Sequence, residues 1–163
     1  MSICIINVGN TGTGKTTKTK ELLNSYKGMP YFIYDVNLEY EEFYKAPLLK
    51  FKDFLLESTK KTNTVIVYEE ATIFFKHNGN THLIGEMLVR KRHTKNVYIF
   101  NFHALHQVPI FILDFANYVI LGQTNDVPSL IQKKFESFDK IYNSFLTLQA
   151  SQNKFEKQFI KLN

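Results

Sequence analysis

Hydrophobic residues fall along this chain as short dense runs separated by longer stretches of mixed polarity. Ser2–Val8, Pro30–Asp35, Thr64–Tyr68, Val97–Phe102 and Tyr118–Gly122 are rich in Ile, Val, Phe and Tyr. Three of them are nearly continuous β-branched or aromatic runs, the pattern of strands covered on both faces. Between them the period changes. Lys15–Tyr26, Glu41–Ser58, Thr81–His93 and Pro109–Phe115 predict helices; in the third, Leu83, Ile84, Met87 and Leu88 recur at helical spacing while Glu86, Arg90 and Lys91 occupy another face. Regular alternation of strand and helix predicts an α/β fold of three layers, a mostly parallel central sheet flanked by helices. The first strand is expected beside Val97–Phe102, with Thr64–Tyr68 next. Ser129–Tyr142 predicts one more helix, and the polar–apolar alternation of Gln158–Leu162 a last strand. No repeat, linker or low-complexity stretch divides the chain, so residues 1–163 read as one domain.

The junction between the first strand and the first helix carries chemistry. Residues 9–16 read Gly-Asn-Thr-Gly-Thr-Gly-Lys-Thr, a complete G-x-x-x-x-G-K-[ST] string in strand–loop–helix context. Gly9, Gly12 and Gly14 permit backbone conformations that turn N–H groups inward around a phosphate, and the helix N-terminus adds partial positive charge at the same place. The cradle is expected to span Gly9, Asn10, Thr11, Gly12, Thr13, Gly14, Lys15, Thr16 and Thr17. Lys15 should reach the β- and γ-phosphates, and the Thr16 hydroxyl should bind Mg²⁺.

A second site signal follows the strand Thr64–Tyr68, which ends in Glu69-Glu70. Ligands of a parallel strand sit at its carboxyl end. Glu69 is expected to hold the metal, and Glu70 to polarise the water that attacks the γ-phosphate. The alternative is a pair of solvated acids opening a loop.

Composition narrows the class. Fifteen Phe and nine Tyr without Trp point to an aromatic core, and the net charge of +5 favours a polyanionic partner. The single cysteine, Cys4, lies within the first strand and reads as a buried thiol, in keeping with a reducing intracellular setting. The N-terminus lacks the charged region of a signal peptide. No apolar stretch approaches the ~20 residues that span a bilayer. The histidines are too scattered for a zinc site.

The loop motif, the strand ending in Glu69-Glu70, and the block Arg90-Lys91-Arg92-His93-Thr94-Lys95-Asn96-Val97-Tyr98-Ile99-Phe100 together resemble the FtsK/HerA superfamily of DNA-pumping ATPases. The nearest likeness is to the compact genome-packaging ATPases of membrane-containing and double-jelly-roll viruses. It covers roughly Ile3–Leu121, with Arg92-His93 matching the family's Arg-His pair and Pro109 its proline after the sensor strand. The resemblance implies a P-loop NTPase fold of the RecA-like ASCE type, ATP and Mg²⁺, a homo-oligomeric ring, and DNA gripped through its phosphate backbone. It also implies a capsid or vertex protein as a further partner, and work in the host cytoplasm or at a membrane-containing capsid. Arg92, or Arg90 on the same helix, matches the arginine that reaches a neighbour's γ-phosphate; a basic helix end complementing the dipole is the alternative. The family's sensor is a Gln after Ser or Thr. Counting back from Pro109 places His103 there, with Asn101 the other polar candidate at that strand end.

For DNA contacts the loop Phe75–His82 is the first candidate and Lys60-Lys61 the second. Three other functions fit part of the pattern. A filamentous-phage assembly ATPase of the Zot type shares the Arg-His pair, but such proteins usually add a transmembrane helix and an outer domain. A small nucleoside or nucleotide kinase shares the loop, and a nucleotide-bound structural protein would share it without turnover.

Overall fold

A computed structural model of the chain describes residues 2–43, 49–76 and 78–162. Six strands are formed: β1 (Ile3–Val8), β2 (Tyr31–Tyr34), β3 (Val65–Tyr68), β4 (Val97–Phe102), β5 (Tyr118–Gly122) and β6 (Lys157–Lys161). They make one sheet in the order β2-β3-β4-β1-β5-β6. All pairings are parallel except that of β6, which runs antiparallel along β5. The expected neighbours of β1 and β3 are therefore found. Helices are α1 (Lys15–Ser25), α2 (Phe51–Ser58), α3 (Asn78–Val89), α4 (Lys91–Thr94), α5 (Ile110–Leu113), α6 (Pro128–Lys134) and α7 (Asp139–Ala150).

The apolar runs become central strands because both sheet faces are covered. Every residue of β3 and β4 is buried. Ile5, Val65, Val67, Ile99 and Ile120 pack beneath α1 through Leu22 and Leu23, together with Tyr40. Cys4, Ile6, Ile66, Tyr68 and Phe100 face the opposite layer, where Phe54 of α2, Ile84 of α3 and Phe145 of α7 close the core. The aromatic residues concentrate here: Tyr68 and Phe100 stack with ring centroids 4.6 Å apart, and Phe54 and Phe74 meet Tyr68 edge-on. Burial pushes the Cys4 thiol up to about 12, so it packs as a small hydrophobe.

Several helices depart from expectation. The run Glu41–Ser58 is not one helix: a 3₁₀ turn covers Glu41–Phe43 and α2 begins at Phe51, while residues 44–48, with Pro47 among them, lie outside the described residues. Thr81–His93 divides at Arg90. Lys91 turns inward there, and its ammonium donates to the carbonyl of Phe115 and to Asn117 Oδ1 (3.2 Å), pinning α4 against the start of β5. Ser129–Tyr142 also divides, because the chain bends to bury Phe135 completely before α7 starts at Asp139. Phe75–His82 is not an open loop: a 3₁₀ turn runs to Phe75 and α3 begins at Asn78, with His77 outside the described residues. No helix among the described residues is long and apolar enough to cross a membrane.

Candidate functional site

The parallel strands deliver their carboxyl ends to one edge of the sheet, and the sequence motifs gather there. Val8 of β1 is in register with Phe102 of β4 and Leu121 of β5. The loop leaving β1 is stitched to both neighbours: Gly9 N–H donates to Phe102 O (3.1 Å) and Asn10 N–H to Gln123 O (2.8 Å). The Asn10 carbonyl then collects Thr13 N–H (3.3 Å), Thr13 Oγ1 (2.8 Å) and Lys15 Nζ (3.0 Å), closing the loop on itself. Gly12 and Gly14 hold φ of +78° and +81°, which side-chain-bearing residues rarely adopt. Gly14 is the N-cap of α1, so no side chain caps the helix, and no acid lies in its first turn. The positive end of an 11-residue helix is left open to an outside anion.

A cleft of about 430 Å³ lies in front of it, lined by Thr11, Gly12, Gly14, Lys15, Thr16, Thr17, Glu69, Glu70 and His103 of the expected site, and by Asn37, Glu39 and Phe155. Gly9, Asn10 and Thr13 brace the loop from behind. Lys15 is mostly buried; burial holds its ammonium below the usual lysine range, against the upward pull of Glu69, Glu70 and Glu39. Its Nζ lies 3.3 Å from His103 Nδ1. An ammonium can only donate, so Nδ1 accepts, and the neutral imidazole carries its proton on Nε2. Nε2 lies 2.6 Å from Glu70 Oε1 and donates to it. Lys15, His103 and Glu70 thus form a chain across the cleft mouth. Glu70 itself sits in the left-handed region (φ 54°, ψ 45°), a conformation uncommon for a residue with a side chain and frequent at functional sites.

Asn101 takes a different place. It is 1% exposed and lies behind the cleft in a hydrogen-bonded layer beneath α1. Its Oδ1 accepts from Asn7 (3.0 Å), its register partner on β1, and from Thr19 Oγ1 (3.1 Å). Its amide donates to Glu69 Oε2, which also accepts from Tyr40 O–H at 2.8 Å. The polar interruptions in β1 and β4 bond to each other through the Asn7 amide and fix α1 and Glu69 to the sheet, while the buried Asn7 Oδ1 finds no partner among the described residues. His103 is the sensor candidate that faces the cleft.

Glu69 lines the cleft yet is only 3% exposed, and burial raises its pKa despite the hydrogen bonds from Asn101 and Tyr40. Because the raised value belongs to the folded state, the folded protein binds this proton more tightly and loses stability as pH rises through it. Glu69→Gln should keep both donors served, since one amide oxygen can accept from both. In EDTA and without nucleotide, the melting temperature of Glu69→Gln relative to the native chain is expected to climb from about pH 4, near the unfolded carboxylate value, to pH 8. Thermal scans across that range check it, and a difference that stays flat or falls overturns it.

Two contributors were not foreseen. Asp35, buried just past β2, accepts from Glu39 N–H (2.9 Å) and Tyr40 N–H (2.8 Å), and this turn brings Glu39 to the cleft and the buried Tyr40 against Glu69. Glu39 Oε2 then accepts from Thr16 Oγ1 at 3.2 Å. Lys157 of β6 donates to Thr13 O at 2.6 Å, tying the far end of the chain to the loop. An Asp at a strand end is a legible turn signal, though its bonds here reach four and five residues on; the approach of β6 is not legible.

The arginines are placed elsewhere. Arg90 and Arg92 precede β4, at the amino edge of the sheet, and both are exposed with no ion pair among the described residues. His93 is exposed beside them and makes no side-chain hydrogen bond among the described residues. Of the basic pair considered for DNA, Lys60 pairs with Glu57 (2.7 Å) and Lys61 lies 4.7 Å over the Phe32 ring.

No family model matches the chain, and no curated protein does. Solved structures do. The genome-packaging NTPase B204 of Sulfolobus turreted icosahedral virus 2, in complex with AMP, superimposes with a TM-score of 0.75 at 23% identity, over 99% of this chain and 94% of that one. The chain has its fold. The same protein in complex with ATP-gammaS gives 0.75 at 20% identity, over 99% and 93% of the two chains. B204 of Sulfolobus turreted icosahedral virus, a DNA-packaging ATPase, gives 0.71 at 18%, over 98% and 97%. The P-loop NTPase architecture expected from the resemblance is therefore present across the described residues.

Proposed function

We propose that the chain is an ATP-hydrolysing DNA translocase that packages a viral genome, acting as a ring of identical subunits. The observation that carries the reading is the Lys15–His103–Glu70 chain spanning a cleft in front of an uncapped helix N-terminus. The fold shared with packaging NTPases along nearly the whole of both chains supports packaging over the filamentous-phage assembly and kinase readings.

The loop N–H groups and the Lys15 ammonium bind the β- and γ-phosphates. The oxygen donors at the cleft suit a hard cation: Thr16 and Glu69 would hold Mg²⁺, with Glu39 beside the Thr16 hydroxyl as an added carboxylate. Bound there, Mg²⁺ neutralises charge on the phosphate oxygens. Glu70 orients a water for in-line attack on the γ-phosphorus and takes its proton, as the bond to the β–γ bridging oxygen breaks to leave ADP and phosphate. His103 positions Glu70 through its Nε2–H, while its Nδ1 accepts from the Lys15 ammonium that meets the phosphates. The remaining charge is met by Arg92 or Arg90 of the neighbouring subunit. Arg90 borders an apolar groove of about 600 Å³ with Val89 and Phe111 on its walls, a surface suited to a ring contact. DNA is held through its phosphates, in keeping with the net charge of +5, and a capsid or vertex protein anchors the ring in the infected cell.

ATP turnover measured with and without DNA, with oligomer mass read in the same buffer, tests the reading. Stimulation by DNA in an assembly of several subunits is the expected result. Turnover that is absent, or that ignores DNA in a monomer, overturns it.

A further inference from the structure

Phe155 lies far along the chain from the phosphate loop, yet it is a wall of the phosphate cleft. It is also a wall of a second groove of about 510 Å³ between α1 and β6, which shares Gly14 and Thr17 with the cleft and adds Lys18, Glu21, Lys157 and Phe159. The two spaces share three walls, Gly14, Thr17 and Phe155. Phe155 is 59% exposed, and it packs against no other aromatic ring among the described residues; only Lys154, itself exposed, lies over it, 5.0 Å from the centroid. A ring of this size left in water forgoes a substantial burial energy.

The local bonding holds it there. Gln123 Nε2 donates to Ser151 O (2.6 Å) and Leu148 O (3.1 Å), while the Gln123 carbonyl accepts from Asn10 of the phosphate loop. Asn153 Oδ1 accepts Phe155 N–H (3.1 Å), and Asn153 O accepts Glu156 N–H (3.0 Å). Ser151 Oγ donates to the Glu156 carboxylate, and Lys157, two residues past Phe155, grips Thr13 O. The turn bearing Phe155 is thus tied to the phosphate loop from both sides, and the ring is held at the rim.

We propose that this groove is the nucleobase subsite, with a purine stacked on Phe155 and its ribose crossing Gly14 and Thr17 toward the phosphates; the assignment rests on the nucleotide-binding reading above. The walls shared with the phosphate cleft commit the occupant: a base leaving the loop past Thr17 meets this space. The flexible Lys154 ammonium gives way to it. Stacking recognises the π-face that every base has. The charged groups of the groove are already engaged, Lys18 Nζ with Glu21 Oε2 at 2.7 Å and Lys157 Nζ with Thr13 O at 2.6 Å. The site therefore grips purines with little regard to their edges, and ATP and GTP should bind within about 10-fold of each other.

The chain contains no tryptophan, so Phe155→Trp installs a single fluorescent reporter. ATP and GTP are expected to quench it saturably, and inorganic tripolyphosphate to leave it unchanged. By calorimetry, Phe155→Ala should weaken ATP about 10-fold, the scale of one base–aromatic stack, and leave tripolyphosphate affinity as it was. If tripolyphosphate binds the native chain but ATP binds native and Phe155→Ala alike, the base lies elsewhere: the subsite is overturned and the phosphate cradle stands. If the native chain binds neither, the cradle fails and takes the subsite with it.

Discussion

Lys15→Ala should reduce ATP hydrolysis by at least about 10²–10³-fold, the scale of losing one preorganised charge donor at the reacting group, and should weaken nucleotide binding as well. The ammonium is the cation that faces three carboxylates, Glu69, Glu70 and Glu39. Without it the cleft presents an acidic wall to an incoming tetra-anion, and repulsion replaces attraction. Its loss also frees His103 Nδ1 and removes one of the bonds to the Asn10 carbonyl, so the chain that orients Glu70 loses its anchor. Lys15→Arg should not rescue the rate, because a planar guanidinium does not fit the space of a compact ammonium between Asn10 and His103. The pH profile carries a second signature. Burial holds the Lys15 pKa below the ordinary value, and the charged form is the active one, so activity is lost as pH rises through the lowered value. The alkaline limb of kcat/KM, which reports the free enzyme, should therefore fall below the usual lysine range. The limb of kcat should lie higher, since bound phosphates favour the charged form. Single-turnover hydrolysis and calorimetry on the variant check the first claim, and steady-state profiles the second. A Lys15→Ala chain that hydrolyses ATP at the native rate would remove the phosphate loop from the mechanism.

The parts legible in the sequence were those whose cause is local. Parallel strands buried on two faces are apolar along most of their length, so β1, β3, β4 and β5 were visible as runs, to within a residue at either end. The phosphate loop was visible because glycines, lysine and threonine must stand at fixed offsets. Helix limits were poorly legible, since they were set by distant contacts. Nothing near Arg90 announces that Lys91 must turn to meet Phe115 and Asn117, and nothing near Ser129 announces that Phe135 will be drawn into the core. The site divides along the same line. Lys15, Thr16, Glu69 and Glu70 were legible as motifs. The partner of Glu69 is Tyr40, 29 positions away, brought in by a turn around Asp35. Asn101 and His103, two residues apart on one strand end, looked equivalent as sensors. Strand alternation sends both to the same side, but Asn101 is met there by Asn7 and Thr19, whereas His103 emerges past the sheet edge into the cleft. Position along the strand, and not residue type, separates them.

Mixing two inactive variants, Glu70→Gln and Arg92→Ala, should restore hydrolysis that neither shows alone. The geometry makes this a demanding test. Arg90 and Arg92 enter the sheet ahead of β4, and the cleft opens past its other end, so about 20 Å of strand separates them from their own phosphate loop. Neither arginine can complete the site of the chain that carries it, and a head-to-tail ring is the arrangement that brings one subunit's amino edge to the next subunit's cleft. Alone, Glu70→Gln should lose about 10²–10⁴-fold for want of a proton acceptor. Arg92→Ala should lose about 10³–10⁵-fold if its arginine meets the γ-phosphate as in trans-acting fingers. In an equal mixture, about a quarter of the interfaces of a heterologous ring pair an intact Glu70 with an intact arginine, and turnover should return in that proportion. Arg90→Ala run in parallel decides between the two arginines, because the variant that complements Glu70→Gln identifies the one that acts. Recovery with neither would place the charge-neutralising group within the same subunit. The exposed arginines, Arg90 after α3 and Arg92 within α4, would then serve only the helix dipoles there, and the case for a ring would rest on oligomer mass alone.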